Sequence, residues 1–342
     1  MHPIERGPKR PWAFLPTFAL FGVAVSLFSL GNASIGFGQV ADGKIDPGRY
    51  ERARFESIEG TSSREAKQAA IRGIPFDLLT PDAATRLKSV LEDASYFRKM
   101  PSQTVECDPE MYVFLVRHPE VVVNIWDMMG ITRVSLDRIG EYQLAGDDGA
   151  GTTCKMDLVY GSNTLHIYQS SGAYQGNLWA RELRGKCVVM LHNRETTFSD
   201  GRPGTTAWME AFMKLDNIGA DLVVKTLGPL VSKTADHNFV ECAAFFSQIS
   251  QTARTNPHGL QQVGLRLQKV SPATRDEFMR ISSAVAVRAH QAANETIETT
   301  PGIPTSSRRV LLPGEFAGQD EESTDSPTIR RMTRADESGS KR

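Results

Sequence analysis

Residues 205–216 read TTAWMEAFMKLD, and GPLVSKTADHNFVECAAFFSQI follows at residues 228–249. In the first stretch, small or apolar side chains alternate with larger or charged ones, which is the period of a β-strand. In the second, apolar residues recur every three or four positions, which predicts an amphipathic helix. Gly228-Pro229 predicts a break or a kink, and we expect a helix from Pro229 to about Arg254, about 39 Å long at 1.5 Å per residue. These stretches therefore predict a strand followed by a helix that is long enough to lie across a whole sheet.

Further strands are predicted upstream of this pair. An alternating pattern starts at Ile131 and is interrupted near Gly140, where a β-bulge would suit a bent strand. Other alternating stretches are TTCKMDLVY, TLHIYQS and GKCVVMLHNRETT, at residues 152–160, 164–170 and 185–197. Lys155 and Asp157 face away from the apolar side chains, as in a strand with one solvated face. At least five strands joined by short turns predict a curved antiparallel sheet.

Helix starts are marked by capping residues, most of them followed by proline. Proline stands at the first helical position in Thr80-Pro81, Asp108-Pro109, His118-Pro119 and Ser271-Pro272. A further short helix is expected from about Ser63 to Arg72. These signals predict a helical extension at 63–117 and C-terminal helices at 258–297.

The order of helix, antiparallel sheet and long helix is an α+β arrangement. It resembles the helix-grip fold of the START-like superfamily, which includes polyketide cyclase-like and lipid-transfer proteins. The resemblance rests on VVVNIWDMMGIT at 121–132 together with the strand and helix quoted above, and it covers about residues 118–255. It implies a curved antiparallel sheet packed on a long C-terminal helix, with extra flanking helices.

The resemblance also implies an apolar cavity between the sheet and the long helix. The residues expected to bind a hydrophobic small molecule or lipid there are Met156, Tyr160, Met209 and Met213 from the sheet, Phe239 and Phe246 from the helix, and Trp126 at one end. Methionine suits a wall that adapts to apolar ligands of different shapes. The alternative is that these side chains are core residues that fill the space completely.

Residues 1–38 have the features of an export signal. Three basic residues precede the uncharged run WAFLPTFALFGVAVSLFSL at 12–30, and small residues follow it. The run is just long enough to cross a hydrocarbon core of about 30 Å, so a cleaved signal peptide and an uncleaved inner-membrane anchor both stay open. Both alternatives predict a linker at 39–62, followed by a folded part in the periplasm or cell envelope. The polar segment 298–342 is predicted to be a disordered tail.

Four cysteines in the predicted exported region could form two disulfides, and they are Cys107, Cys154, Cys187 and Cys242. No two of them have C-x-x-C spacing, which argues against a zinc knuckle or a thioredoxin-like redox site. The alternative is that all four are buried free thiols that pack as small apolar side chains.

The sequence contains no motif that indicates a known catalytic chemistry. It lacks H-E-x-x-H, the G-x-S-x-G elbow and the phosphate-binding glycine motifs, so neither a metal nor a cofactor is expected. The 39 basic and 40 acidic residues leave a formal charge of −1, which argues against an overall attraction to nucleic acid. His166 and His192 each lie in a predicted strand, where a carboxylate partner inside the cavity would permit acid–base chemistry.

Three functions follow from these observations. The first is a non-enzymatic, exported or membrane-tethered protein that binds or carries a hydrophobic small molecule or lipid. The second is a cyclase- or aromatase-like enzyme, which requires His166 and His192 to point inward together. The third is an envelope scaffold, which requires a filled core and an exposed apolar patch on the helices at 63–93 or 272–290.

Overall fold

The computed structural model describes residues 59–176, 182–216 and 220–299. The predicted export segment 1–38 lies outside these residues, as do most of the predicted linker and the tail from residue 300. Within the described residues, no helix is both long enough and apolar enough to span a membrane. Residues up to Ala293 belong to one compact unit, and of the second unit, from Asn294, only the end of a helix is described.

Eight strands form one sheet in which every pairing is antiparallel. The strands are β1 (Tyr96–Lys99), β2 (Gln103–Val105), β3 (Ser135–Gly140), β4 (Gln143–Asp147), β5 (Thr152–Gly161), β6 (Leu165–Tyr174), β7 (Leu183–Thr197) and β8 (Pro203–Leu215). Their order is β1-β8-β7-β6-β5-β4-β3, and β2 also pairs with β8. The predicted α+β class, with a curved antiparallel sheet followed by a long helix, is confirmed.

Seven α-helices surround the sheet in the described part of the chain. They are α1 (Arg64–Arg72), α2 (Pro81–Leu91), α3 (Pro109–Arg117), α4 (Pro119–Met128), α5 (Ala220–Thr255), α6 (Pro257–Leu265) and α7 (Pro272–Thr299). The side chains of Ser63, Thr80 and Asp108 accept hydrogen bonds from backbone N–H groups in the first turns of α1, α2 and α3, which confirms these caps. These caps satisfy donors that have no partner inside the helix. The start at His118-Pro119 is also correct, but the His118 side chain makes no capping hydrogen bond.

The sheet is covered on both faces. Its inner face carries Met156, Val189 and Met209, which belong to a large apolar core with α3, α4 and α5. Its outer face carries Val188 and Phe212, which pack with α1 and α2 in a second apolar cluster. The first two helices of the predicted extension therefore close the outer face of the sheet, whereas its third helix, α3, packs on the inner face.

The extension also contains strands β1 and β2, which the sequence analysis did not predict. Tyr96 to Lys99 pair with Met213 to Glu210 of β8, and Gln103 to Val105 pair with Ala207 to Thr205. Strands of four and three residues are too short to show a period of two. They give the free side of the long strand β8 its hydrogen-bonding partners.

Helix α5 is longer than predicted. It runs over Ala220–Thr255 and continues through Gly228-Pro229. The pair does not break the helix, so the predicted start at Pro229 is wrong, whereas the predicted end near Arg254 is correct. Proline removes one hydrogen bond from a helix, but helix formation is cooperative over many residues, and the structure continues the helix on both sides.

All four cysteines are buried free thiols, so the predicted option of two disulfides does not form in this structure. Cys154 lies on β5 and Cys187 on β7, with β6 between them. Two strand spacings amount to about 10 Å, whereas a disulfide needs Cα atoms within about 7 Å. Burial raises the pKa of Cys154 and of Cys187 to about 12, which keeps both thiols protonated.

Candidate binding cavity

A cavity of about 80 Å³ lies between the inner face of the sheet and helices α3, α4 and α5. Its walls comprise Met156, Tyr168, Val189, Leu191 and Met209 from the sheet, and Tyr112, Leu115, Val116, Pro119, Val122, Trp126, Phe239, Cys242, Ala243 and Phe246 from the helices. None of these side chains is ionisable at neutral pH. Thirteen of the fifteen are buried, and Pro119 and Leu191 are half-buried, so the cavity lies nearest to solvent beside these two residues.

Five of the seven residues predicted to face a cavity line this one, and they are Trp126, Met156, Met209, Phe239 and Phe246. They come from α4, β5, β8 and α5, as the resemblance implies. Their position is thus observed, whereas their role in binding a ligand stays a prediction.

Tyr160 is not in the cavity wall, because a β-bulge reverses the faces of β5. Leu158 pairs with Tyr168 on the inner face, but Tyr160 pairs with Ile167, and the register shifts between them. Tyr160 consequently packs in the outer cluster with α1 and α2. The alternation in TTCKMDLVY predicts the correct face only as far as Leu158.

Met213 is not in the wall either, although it is buried on the inner face. It pairs with Cys187 of β7 and Tyr96 of β1. It lies four positions after Met209, which is a distance of about 13 Å along a strand. The alternation gives its face correctly, but it cannot show where along the strand the cavity ends.

The contribution of α3 to the cavity was not predicted from the sequence. Tyr112, Leu115 and Val116 line the cavity, yet they fall in the segment treated as an extension outside the START-like domain. The apolar run MYVFLVRH at 111–118 was the available signal. Its helical period indicates burial, but no local pattern shows which layer a helix packs against.

Two tyrosine hydroxyls in the wall have different surroundings. The Tyr168 hydroxyl donates a hydrogen bond to the carbonyl oxygen of Val116 at 2.8 Å. The Tyr112 hydroxyl makes no hydrogen bond with any residue that the structure describes. Burial raises the pKa of Tyr112, with smaller contributions from the Cys242 and Cys107 thiols, so the phenol stays neutral and able to donate a proton.

His166 and His192 lie on opposite faces of the sheet, so the inward-facing pair required by the enzyme hypothesis does not form. His166 pairs with Leu191 on the inner face, where its Nε2 accepts a hydrogen bond from Arg117 Nε at 3.0 Å. His192 lies on the outer face, with Nε2 3.1 Å from Glu210 Oε2 and its ring stacked on Trp208. Burial, together with the Arg117 charge, lowers the pKa of His166 to about 4.

Metal ligands are not grouped in the described part of the chain. No set of three or more histidine, cysteine, aspartate or glutamate side chains there could hold an ion. Both oxygens of the buried Glu120 carboxylate accept hydrogen bonds from Arg138, at 2.6 and 2.9 Å. This buried pair joins the start of α4 to strand β3.

Comparisons with known proteins give similarities of structure alone. No family model matches the chain, and no curated protein matches it. A conserved protein from Geobacillus kaustophilus is 13% identical, with a TM-score of 0.32, over 43% of this chain and 93% of that one. An uncharacterised protein from Rhizobium leguminosarum is 14% identical, with a TM-score of 0.28, over 42% and 93% of the two chains. The structure of Ara h 8.0201 is 13% identical, with a TM-score of 0.25, over 43% and 98%. The arrangement of sheet and long helix agrees with the expected fold, and membership of the START-like superfamily stays a prediction.

Proposed function

We propose that this protein binds a small apolar molecule in the cavity between the sheet and helices α3, α4 and α5. The main support is an apolar void inside a core of buried side chains. Protein interiors are close-packed, and an empty volume of about 80 Å³ costs about 2 kcal/mol at roughly 24 cal/mol per Å³. A ligand that fills the void recovers the missing contacts.

The volume favours a small molecule over a lipid. A dry apolar cavity of about 150 Å³ holds benzene, and sites for drug-sized ligands span about 300–1,000 Å³. At about 80 Å³, the cavity is nearer to the first class. A larger ligand requires side chains to move, and Met156 and Met209 are the flexible ones in the wall.

The proposal includes export or membrane tethering through residues 1–38, which is supported by the uncharged run at 12–30. Fractionation of cells that express the full chain, followed by N-terminal sequencing, tests this part. A mature chain that starts after about residue 33 or 38 indicates a cleaved signal, and an intact chain in the membrane fraction indicates an anchor. An intact chain in the cytoplasm contradicts export.

The scaffold hypothesis has less support. It requires a filled core, whereas this core contains a cavity. It also requires an apolar patch, and on the predicted helices the large apolar side chains that are exposed are Leu78 and Val287, one in each segment. Single exposed apolar side chains are common on protein surfaces.

Methionine-methyl NMR of the full chain in detergent-free buffer tests the binding proposal, with cyclopentane as the probe. We expect saturable shifts of the Met156 and Met209 methyl signals, which are in the wall, and a much smaller shift of Met213, which is not. Ala243→Leu fills the cavity and should abolish the shifts, whereas Val287→Leu at an exposed position should not. Failure of wild-type Met156 and Met209 to respond contradicts the proposal.

A further inference from the structure

The hydroxyl of Tyr112 makes no hydrogen bond in the described part of the chain, although the residue is buried. The residue is 3% exposed, so it has little contact with bulk water. Its ring lines the cavity and packs edge-on against Phe246, with centroids 5.4 Å apart. Buried hydroxyls are nearly always hydrogen-bonded, because an unsatisfied one keeps its full desolvation penalty.

The cavity wall offers little to satisfy this hydroxyl. The other hydroxyl in the wall, that of Tyr168, donates its proton to Val116, and no hydrogen bond joins it to Tyr112. A buried water needs two to four polar partners, and most of the side chains around the cavity are aliphatic or aromatic. An apolar ligand with one acceptor needs a single donor, which Tyr112 supplies.

The wall also excludes charged ligands. It contains no aspartate, glutamate, lysine, arginine or histidine side chain. An ion moved from water into such a site has no opposite charge to compensate for its lost hydration. The ligand must therefore be neutral.

We infer that the ligand is a small uncharged molecule, apolar except for one ketone, aldehyde or ether oxygen, and that this oxygen accepts a hydrogen bond from the Tyr112 hydroxyl. The inference rests on the proposed function and specifies the ligand class of the same cavity. It assigns Tyr112 as the residue that selects among apolar molecules of similar size. Discrimination arises because a ligand without an acceptor leaves the hydroxyl unpaired.

The test compares cyclopentane with cyclopentanone, which differ by one carbonyl oxygen, on wild type, Tyr112→Phe and Tyr168→Phe. Affinities come from titration of the Met156 and Met209 methyl signals. Tyr112→Phe should lower the affinity for cyclopentanone about tenfold, because it removes one hydrogen bond that only cyclopentanone makes. It should change the affinity for cyclopentane by less than about twofold. Tyr168→Phe should change both affinities by the same factor, because its hydroxyl is held by Val116.

The two proposals fail in different ways in this experiment. If both molecules bind the wild type but Tyr112→Phe alters their affinities equally, the role of Tyr112 is refuted and the binding function stands. If neither molecule moves the Met156 and Met209 signals of the wild type, the binding function is refuted, and the inference with it. An unchanged Met213 signal shows that each variant is folded, because Met213 is buried outside the cavity.

Discussion

Tyr112 and Tyr168 belong to the same cavity wall, yet their hydroxyls contribute differently to stability. The Tyr168 hydroxyl donates a hydrogen bond from β6 to the carbonyl oxygen of Val116 in α3. Tyr112 is buried without such a bond. A buried hydrogen bond contributes about 0.5–1.5 kcal/mol, and an unsatisfied buried group costs about 1–3 kcal/mol.

For the ligand-free protein, we therefore predict opposite effects for the two tyrosine-to-phenylalanine changes. Tyr112→Phe should leave the free energy of unfolding unchanged or raise it by about 1 kcal/mol, because it deletes an unpaired polar group. Tyr168→Phe should lower it by about 1–2 kcal/mol, because it removes the partner of Val116. Urea unfolding followed by circular dichroism measures both. A loss of stability in Tyr112→Phe equal to that in Tyr168→Phe would mean that Tyr112 has a partner.

His166 makes stability depend on pH. Its pKa is lowered from 6.5 to about 4 by burial and by the Arg117 charge, so the folded state binds a proton less readily than the unfolded chain. Stability contributed by the neutral ring is complete above pH 6.5 and is lost as the pH falls towards 4. The full shift corresponds to roughly 3 kcal/mol at about 1.4 kcal/mol per pKa unit.

His166→Gln should reduce this dependence, because glutamine can still accept a hydrogen bond from Arg117 but does not titrate. The measurement is the free energy of unfolding at intervals from pH 4 to pH 7. His237→Gln is the control, since the His237 side chain is 53% exposed. Equal slopes for His166→Gln and wild type would show that another group is responsible.

At the scale of elements, the outer helical layer formed by α1 and α2 is part of the folded core. Leu87 and Val90 of α2 are fully buried against the outer face of the sheet. Leu78, in the turn before α2, is 65% exposed. The two leucines therefore form a matched pair for testing how much this layer contributes.

Leu87→Ala should lower the free energy of unfolding by about 2–5 kcal/mol, the range for leucine truncation in a packed core. Leu78→Ala should change it by less than about 0.5 kcal/mol, as expected at an exposed position. Chemical denaturation of both variants gives the comparison. Similar small losses would imply that α1 and α2 do not contribute to the core of the protein.

Features that depend on residues close together in the sequence were predicted, and features that depend on distant residues were not. The starts of α2 and α3 were predicted because a capping side chain and the proline after it act within one helical turn. The face of Met156 was predicted because alternation is a property of a single strand. The sequence did not predict the bulge before Tyr160 or the pairing of β1 with β8, because both depend on contacts between strands. The position of α3 in the cavity wall was not predicted for the same reason.

At the scale of the whole molecule, the sheet separates two apolar layers of different use. The outer layer attaches α1 and α2, and the inner layer encloses the cavity beneath α3, α4 and α5. Next to the half-buried Leu191, its strand partner His166 accepts a hydrogen bond from Arg117. Next to the half-buried Pro119, Glu120 pairs with Arg138. This void is the proposed binding site for a small apolar molecule.

The most direct measurement is a crystal structure of the protein pressurised with xenon, because xenon enters dry apolar cavities without needing a hydrogen bond. We predict a xenon peak in difference maps among Tyr112, Met156 and Phe246, and its loss in Ala243→Leu. A map without xenon in this region, or with side chains that close the space between the sheet and α5, would contradict the account.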